Sequence, residues 1–372
     1  MDRQTQDFIR HFRVIQDPRI ERTKLHLLEN ILFIALCAVL SGADSWVEMQ
    51  AFGEAKKDWL AKYLNLSNGI PSHDTFARVF AQLNPDEFQK GFLSWIQNVY
   101  QKTQGEIISI DGKTLRRSHN RSTAQEPLHL ITAWAHANHL VLGQLKSQGH
   151  ANEILSIPKL LEILDLHGCI VTLDAMGTQK TIAKSIRDKK ADYVLALKAN
   201  HGLLYQDLQQ YWNDPHLPPA EYNLYETAEK DHGRLEIRKY KITSQISWLS
   251  AREDWAGLQS IAVVESQRTI QNQTVTQTRF YLTSLKPNAK QLAKAIRAHW
   301  DIENKLHWSL DVCFHEDQSR ARIKFSAENF ARLRRLALNI LKKDTLSIKS
   351  LRVKRLQAAL NDSYLDSLLS KN

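Results

Sequence analysis

Ile107-Ile108-Ser109-Ile110-Asp111-Gly112 and, further along, Ile170-Val171-Thr172-Leu173-Asp174 decide how this chain is read. Each is a short β-branched run, the pattern of a buried strand. Each ends in an aspartate followed by a turn containing glycine, Gly112 or Gly177. Between and after them the elements alternate. Residues 128–134 and 140–145 are strand-like about a turn at Ala137-Asn138-His139, 152–166 is helical, 169–173 a strand, 178–189 a helix and 193–197 a strand. The order βββαβαβ predicts an α/β fold, a mixed sheet flanked by helices.

In open sheets with parallel strands, groups at the carboxyl ends of neighbouring strands converge on one crevice. If the two runs are adjacent and parallel, Asp111 and Asp174 meet. Converging carboxylates repel, so such a site calls for a cation to keep both ionised at neutral pH. Mg²⁺ suits it, being a hard ion that takes carboxylate oxygen, keeps waters and accepts phosphate oxygen. A third carboxylate completes a two-ion site for in-line attack on a phosphodiester. On a helix expected from 287 to about 310, Ile296, Trp300, Glu303, His307 and Leu310 recur at steps of three or four. That phase puts Glu303 on the apolar, inward face. Asp301 sits about 160° away around the helix, and Glu316 and Asp317 stand in reserve beyond its end. Taken singly, an aspartate before glycine is as often a turn residue; the pair with an inward glutamate favours the metal reading. His307, Cys313 and His315 lack the second paired set of a zinc site.

The flanking regions have their own character. From 25 to about 100 the pattern is helical, broken at Ser41-Gly42, Asn68-Gly69 and Asn84-Pro85, and predicts an N-terminal helical domain. In it Ser72 caps a short amphipathic helix exposing His73, Asp74 and Arg78, either an ordinary packing helix or one that reads a DNA groove. Residues 201–286, with Pro215, Pro218 and Pro219 and strand-like runs at 235–242, 259–264 and 274–282, read as a β-rich insertion.

Fifty Lys and Arg against 40 Asp and Glu give a net charge of +10, which favours a polyanionic partner. Residues 320–355 carry twelve cations and only Glu328 and Asp344 as acids, so the whole excess lies there. Among the cations are Arg320, Arg322, Arg334 and Arg335, expected to hold a DNA backbone from a helix packed on one side only. Lys113, Arg116, Arg117 and Arg121 form a second cluster beside Asp111. The three cysteines, Cys37, Cys169 and Cys313, are odd in number and far apart, as in a reducing compartment. The longest apolar run, 31–40, is too short to span a bilayer, and the N-terminus lacks a signal-peptide core. A soluble, cytoplasmic protein without membrane contact is expected.

The stretches IDGKTLRRS (110–118), VTLDAMGTQKTIA (171–183), ADYVLALKANHG (191–202), DHGRLEIR (231–238) and RAHWDIENKLHWSLDVCFHED (297–317) resemble the H-repeat-associated proteins and related bacterial insertion-sequence transposases. IALCAVLSGADSW (34–46) and NGIPSHDTFARVF (68–80) are similar to the helical domain that precedes the catalytic domain there. The resemblance covers nearly the whole chain. It implies a ribonuclease-H-like fold, a DDE triad mapped onto Asp111, Asp174 and Glu303, and Mg²⁺ or Mn²⁺ as cofactor. It also implies hydrolysis at terminal inverted repeats, strand transfer to target DNA, and a homodimer or higher oligomer on double-stranded DNA. Many relatives in the wider superfamily place Tyr, Arg and Lys at positions that are Ile296, His299 and Leu310 here, so those phosphate-gripping roles do not carry over. Arg297, Lys305 and His307 stand close by as substitutes. The expected division is 1–104 helical domain, 105–200 first part of the catalytic core, 201–286 insertion, 287–340 second part of the core and 341–372 basic tail. Two other functions share these features: a DNA-binding protein that no longer transposes, and a structure-specific nuclease of the same fold.

Overall fold

The computed structural model describes residues 9–119, 126–149, 152–214, 221–231, 233–271 and 273–370. Arg121 and the Pro215, Pro218 and Pro219 loop fall outside them. The strands are β1 (Ile107–Thr114), β2 (His129–Ala135), β3 (Leu140–Ser147), β4 (Ile170–Leu173), β5 (Asp192–Leu197), β6 (Asn223–Asp231), β7 (Arg234–Thr243), β8 (Ser260–Ile270) and β9 (Gln273–Thr283). The chain divides into two compact units, one of residues 102–111 and 151–302, the other of 1–101, 112–150 and 303–372.

The first is a sheet unit. Its strands run in the order β1-β4-β5-β9-β8-β7-β6. β1, β4 and β5 are parallel, and every later pairing is antiparallel. The β-rich region is therefore no separate body. β9 pairs with β5 from Val194 opposite Thr283 to Leu197 opposite Phe280, and the sheet simply continues. Helix Ala289–Asp301 buries Ala289, Leu292, Ala293 and Ile296 against Ile107, Ile170, Val194 and Ala262. The spacing is that of a single helical face, and its alanines let the helix lie close to the strands. Each large apolar side chain so buried contributes roughly 1.5–3 kcal/mol. Two elements escaped the sequence reading. Helix Gly202–Asn213 buries only Leu204 and Leu208, and β6, NLYETAEKD, is a mostly exposed edge strand with little apolar alternation.

The second unit is mainly helical, with the hairpin β2–β3 in it. Helix Leu28–Leu40 is buried from Asn30 to Leu40, which accounts for the long apolar run as a core helix rather than a membrane span. Ser45 caps Trp46–Ala55 in a capping box, Ser72 caps His73–Gln82, and Asn84 with Pro85 starts Pro85–Val99. Helix Ser326–Lys343 packs among these N-terminal helices, with Trp46 against Phe330 at 4.6 Å and against Phe80 at 5.2 Å. The N-terminal helices thus share one unit with the C-terminal ones, and the chain passes from it to the sheet unit between Gln101 and Lys102. Beyond 341 the chain forms helices Leu351–Leu360 and Asp362–Ser370.

Candidate active site

β1 and β4 pair in parallel with Ile107 opposite Ile170, Ile108 opposite Val171 and Ser109 opposite Thr172. Carried two residues further, the same register sets Asp111 opposite Asp174, both half-buried. The strand-end expectation needs one adjustment: Asp174 directly follows β4, but β1 runs on to Thr114 with Asp111 inside it.

The turn after β4 fixes the Asp174 carboxylate. Its Oδ1 accepts from the N–H groups of Met176, at 3.0 Å, and Gly177, at 3.1 Å. This is the local turn that a short acidic side chain favours. Thr178 Oγ1 donates to the Asp174 carbonyl at 3.0 Å and to that of Ala196 at 2.6 Å. Gly177 packs tightly against β4, since a Cβ there would meet Leu173 Cδ2 at 2.9 Å and Leu173 Cβ at 3.2 Å. The loop after β5 is tied to the same turn, Asn200 Nδ2 and His201 Nε2 lying 3.2 and 3.1 Å from the Ala175 carbonyl.

Beneath the aspartates lies a polar cluster that the sequence reading missed. Thr172 Oγ1 donates to Ser109 Oγ at 3.0 Å and lies 3.0 Å from His299 Nδ1, while Ser109 Oγ donates to the Ala298 carbonyl at 3.2 Å. Helix Ala289–Asp301 is thereby fastened to both strands two residues before each aspartate. Burial pulls the His299 pKa down to about 4, against the opposing influence of Asp174. The available signal was a small hydroxyl residue at the same place in two otherwise apolar runs.

Glu303 belongs to the other unit. It is exposed, in a π-helical segment Ile302–His307, where the sequence phase had put it inward. A π turn carries more residues than an α turn, so the phase slips: Ile302, Leu306 and Leu310 are buried, and Trp300 is 38% exposed. Among the described residues no group of three or more His, Cys, Asp or Glu stands ready to hold a metal. His315 is engaged with Asp44 at 2.7 Å, and the Cys313 thiol is buried.

The cations expected to hold DNA separate into two groups. Arg334 and Arg335 are buried, at 1% and 0% exposure, and offer a DNA backbone no surface. Arg335 pairs with Glu316 at 2.6 Å with both side chains wholly buried, and Arg334 stacks on Phe330 at 3.7 Å. Glu316, a reserve acid in the sequence, is thus committed; burial pushes its pKa up, but Arg335, Arg334 and Lys113 bring it below the ordinary value. Arg332, Lys354 and Arg355 are buried as well. Arg355 donates to the Val39 carbonyl at 3.0 Å and to Asp44 Oδ1 at 2.8 Å, which satisfies the end of helix Leu28–Leu40. Much of the basic segment therefore stitches the helical unit together. Lys113 is also withdrawn, buried with its Nζ 2.6 Å from both Asp311 oxygens and 3.6 Å from Asp317. The amine keeps the neighbouring acid charged against the burial that raises the Asp311 pKa. Arg116, Arg117 and Arg320 remain exposed and Arg322 and Lys305 half-buried. Arg116 reaches Asp317 at 3.2 Å and Arg297 reaches Glu229 at 3.4 Å. No helix among the described residues is long and apolar enough to cross a membrane.

Residues 102–340 match the family described as "Transposase DDE domain", and residues 9–96 match "DDE_Tnp_1-associated". The chain is 39% identical over 370 residues to "Putative transposase YncI" of Escherichia coli O157:H7, covering 98% of this chain and 95% of that protein. It is 38% identical over 365 residues to "H repeat-associated putative transposase YhhI" of Escherichia coli strain K12, covering 97% of each. Among solved structures it is similar to the piggyBac transposase in a synaptic complex with hairpin DNA, with a TM-score of 0.44 and 10% identity over 99% of this chain and 80% of that one.

Proposed function

This chain belongs to the Transposase DDE domain family, and on that premise we propose that it is a metal-dependent DNA transposase of a bacterial insertion sequence. It hydrolyses the phosphodiester at the terminal inverted repeats to free a 3′-hydroxyl, which then attacks target DNA. The observation that carries this reading is the parallel register of β1 on β4, whose last pair, Ser109 opposite Thr172, stands two residues before both Asp111 and Asp174. The parallel set β1, β4 and β5 and the hairpin β2–β3 are read as a ribonuclease-H-like core.

Asp111, Asp174 and Glu303 are proposed to hold Mg²⁺ or Mn²⁺. Two half-buried carboxylates would fit a hard divalent ion, which takes few protein oxygens and completes its shell with water and phosphate. Bound there, the ion supplies charge neutralisation and activation of the attacking oxygen. The chain's own part is positional. The Met176 and Gly177 amides stop Asp174 from rotating, and the Ser109–Thr172–His299 cluster holds the helix that leads, two residues past its end, to Glu303. Arg116, Arg117, Arg320, Arg322, Lys305 and Arg297 are proposed to contact the DNA backbone. The protein would act in the cytoplasm as a homodimer or higher oligomer on DNA.

The test is direct. Purified protein with Mg²⁺ and duplexes carrying the element's terminal repeats should nick the ends and join them to a target plasmid, and Asp111→Asn should abolish both reactions while the protein stays folded by circular dichroism. Cleavage that survives the substitution overturns the assignment.

A further inference from the structure

We propose that a groove on the sheet unit, formed by β6, β7 and the start of helix Ala289–Asp301, is a track for the phosphate backbone of duplex DNA. This rests on the reading of the chain as a DNA-acting protein and goes beyond it by assigning a surface outside the carboxylate site. The groove has a volume of about 470 Å³. Its helical wall carries Lys290, Lys294 and Arg297, all exposed. Spaced four and three residues apart, they form one stripe, roughly 10 Å long at 1.5 Å per residue. Measured along a duplex axis, that length spans about three base steps at 3.4 Å each.

Charge points the same way. The acid in the groove lining is Glu229, and it is already shared between Arg238 at 3.1 Å and Arg297 at 3.4 Å. Neither Lys290 nor Lys294 has an ion-pair partner among the described residues. The stripe begins in the first turn of a 13-residue helix, whose positive end adds to the attraction for an anion. The floor is closed: Tyr240 is 0% exposed, and its hydroxyl lies against that of Thr227. The few uncharged polar groups on the rim, Asn288 and Gln291, are partly used by the helix itself, Asn288 Oδ1 accepting from the Gln291 amide at 2.9 Å. Binding here should therefore read the backbone rather than the bases.

The experiment measures binding of the full-length protein to a terminal-repeat duplex and to a scrambled duplex over a range of NaCl concentrations. Lys290→Gln with Lys294→Gln should lower the slope of log K against log salt by about 1.8, at 0.9 per lost phosphate contact, equally on both duplexes. Glu229→Gln should shift affinity the other way, towards tighter binding. The exposed lysines are dispensable for folding, and a thermal melt checks each variant. If the parent binds DNA but the double variant keeps the parent's slope, the groove assignment is wrong and the proposed function stands. If the parent binds neither duplex, the reading as a DNA-acting protein falls with it.

Discussion

Thr172 Oγ1 lies 3.0 Å from both Ser109 Oγ and His299 Nδ1, and so joins two parallel strands to one helix. The proton inventory of this cluster is constrained. Ser109 donates its hydroxyl proton to the Ala298 carbonyl and Thr172 donates its own to Ser109. The contact with His299 must then be donated by the ring, which assigns the neutral Nδ1–H tautomer and leaves Nε2 as an acceptor. A charged imidazolium would bring a second ring proton and a charge into a buried site that has already cut the His299 pKa to about 4.

That burial makes stability depend on pH. The folded-state pKa of His299, about 4, lies below the ordinary value of 6.5, so between these limits the unfolded chain binds more protons than the folded one. Stability contributed by the neutral ring is complete above pH 6.5 and is lost as pH falls towards 4. By linkage the loss is roughly 3 kcal/mol for a shift of this size. His307, with its pKa drawn down to about 3 by burial and by Lys113 and Arg335, adds to the same trend. Urea unfolding at a series of pH values should show the decline, and His299→Asn should flatten it; an unchanged slope in that variant would place the effect elsewhere.

Removing the hydroxyl at the centre of the cluster tests its connectivity. Thr172→Val keeps the shape but leaves the His299 donor and the Ser109 acceptor without their partner, at a cost of about 1–3 kcal/mol. Thr172→Ser restores the oxygen and should recover most of the loss. Equal stability of the Val and Ser variants in urea would show that the hydrogen bonds contribute little.

How far these features were legible beforehand depends on which physical pattern produced them. The opposed aspartates were legible because strand period, chain order and a terminal Asp repeat all point one way in the runs ending at Asp111 and Asp174. The inward face expected for Glu303 was misjudged, since its segment leaves the α period. The arginines of Ser326–Lys343 were misread because a charge in sequence looks like a surface until its partner is known. Glu316 lies 19 residues from Arg335, and Gln89, which accepts from Arg332 at 2.9 Å, lies 243 away. Pairings at such separations leave no local pattern. Likewise β6 showed too little apolar alternation to mark itself, since an edge strand can be polar on both faces.

The Arg335–Glu316 pair should behave as a buried ion pair whose halves depend on each other. Glu316→Gln leaves the Arg335 guanidinium buried without its counter-charge, and the expected loss is about 3–5 kcal/mol. Arg335→Met with Glu316→Leu removes both charges and refills the space, and should be much closer to the parent. Urea unfolding of the parent, single and double variants gives the coupling energy. A single variant as stable as the parent would mean that the pair is open to water in solution.

The last prediction concerns the aspartates before any DNA is present. Opposed in register across β1 and β4, two carboxylates repel in the absence of a cation, so neutralising one should leave the metal-free protein at least as stable as the parent, by roughly 0–1 kcal/mol. Asp174→Asn is the cleaner of the two changes, because the amide oxygen still accepts from Met176 and Gly177 and keeps the turn. Adding Mg²⁺ reverses the order. The parent should gain melting temperature with rising metal, as any protein does whose folded state alone binds the ligand, while Asp111→Asn and Asp174→Asn should lose most of that gain. Thermal melts across a Mg²⁺ titration, with Ca²⁺ as a comparison and no nucleic acid added, separate metal ligation from catalysis. Equal stabilisation of parent and variants would remove both aspartates from the metal site, whatever their effect on DNA cleavage.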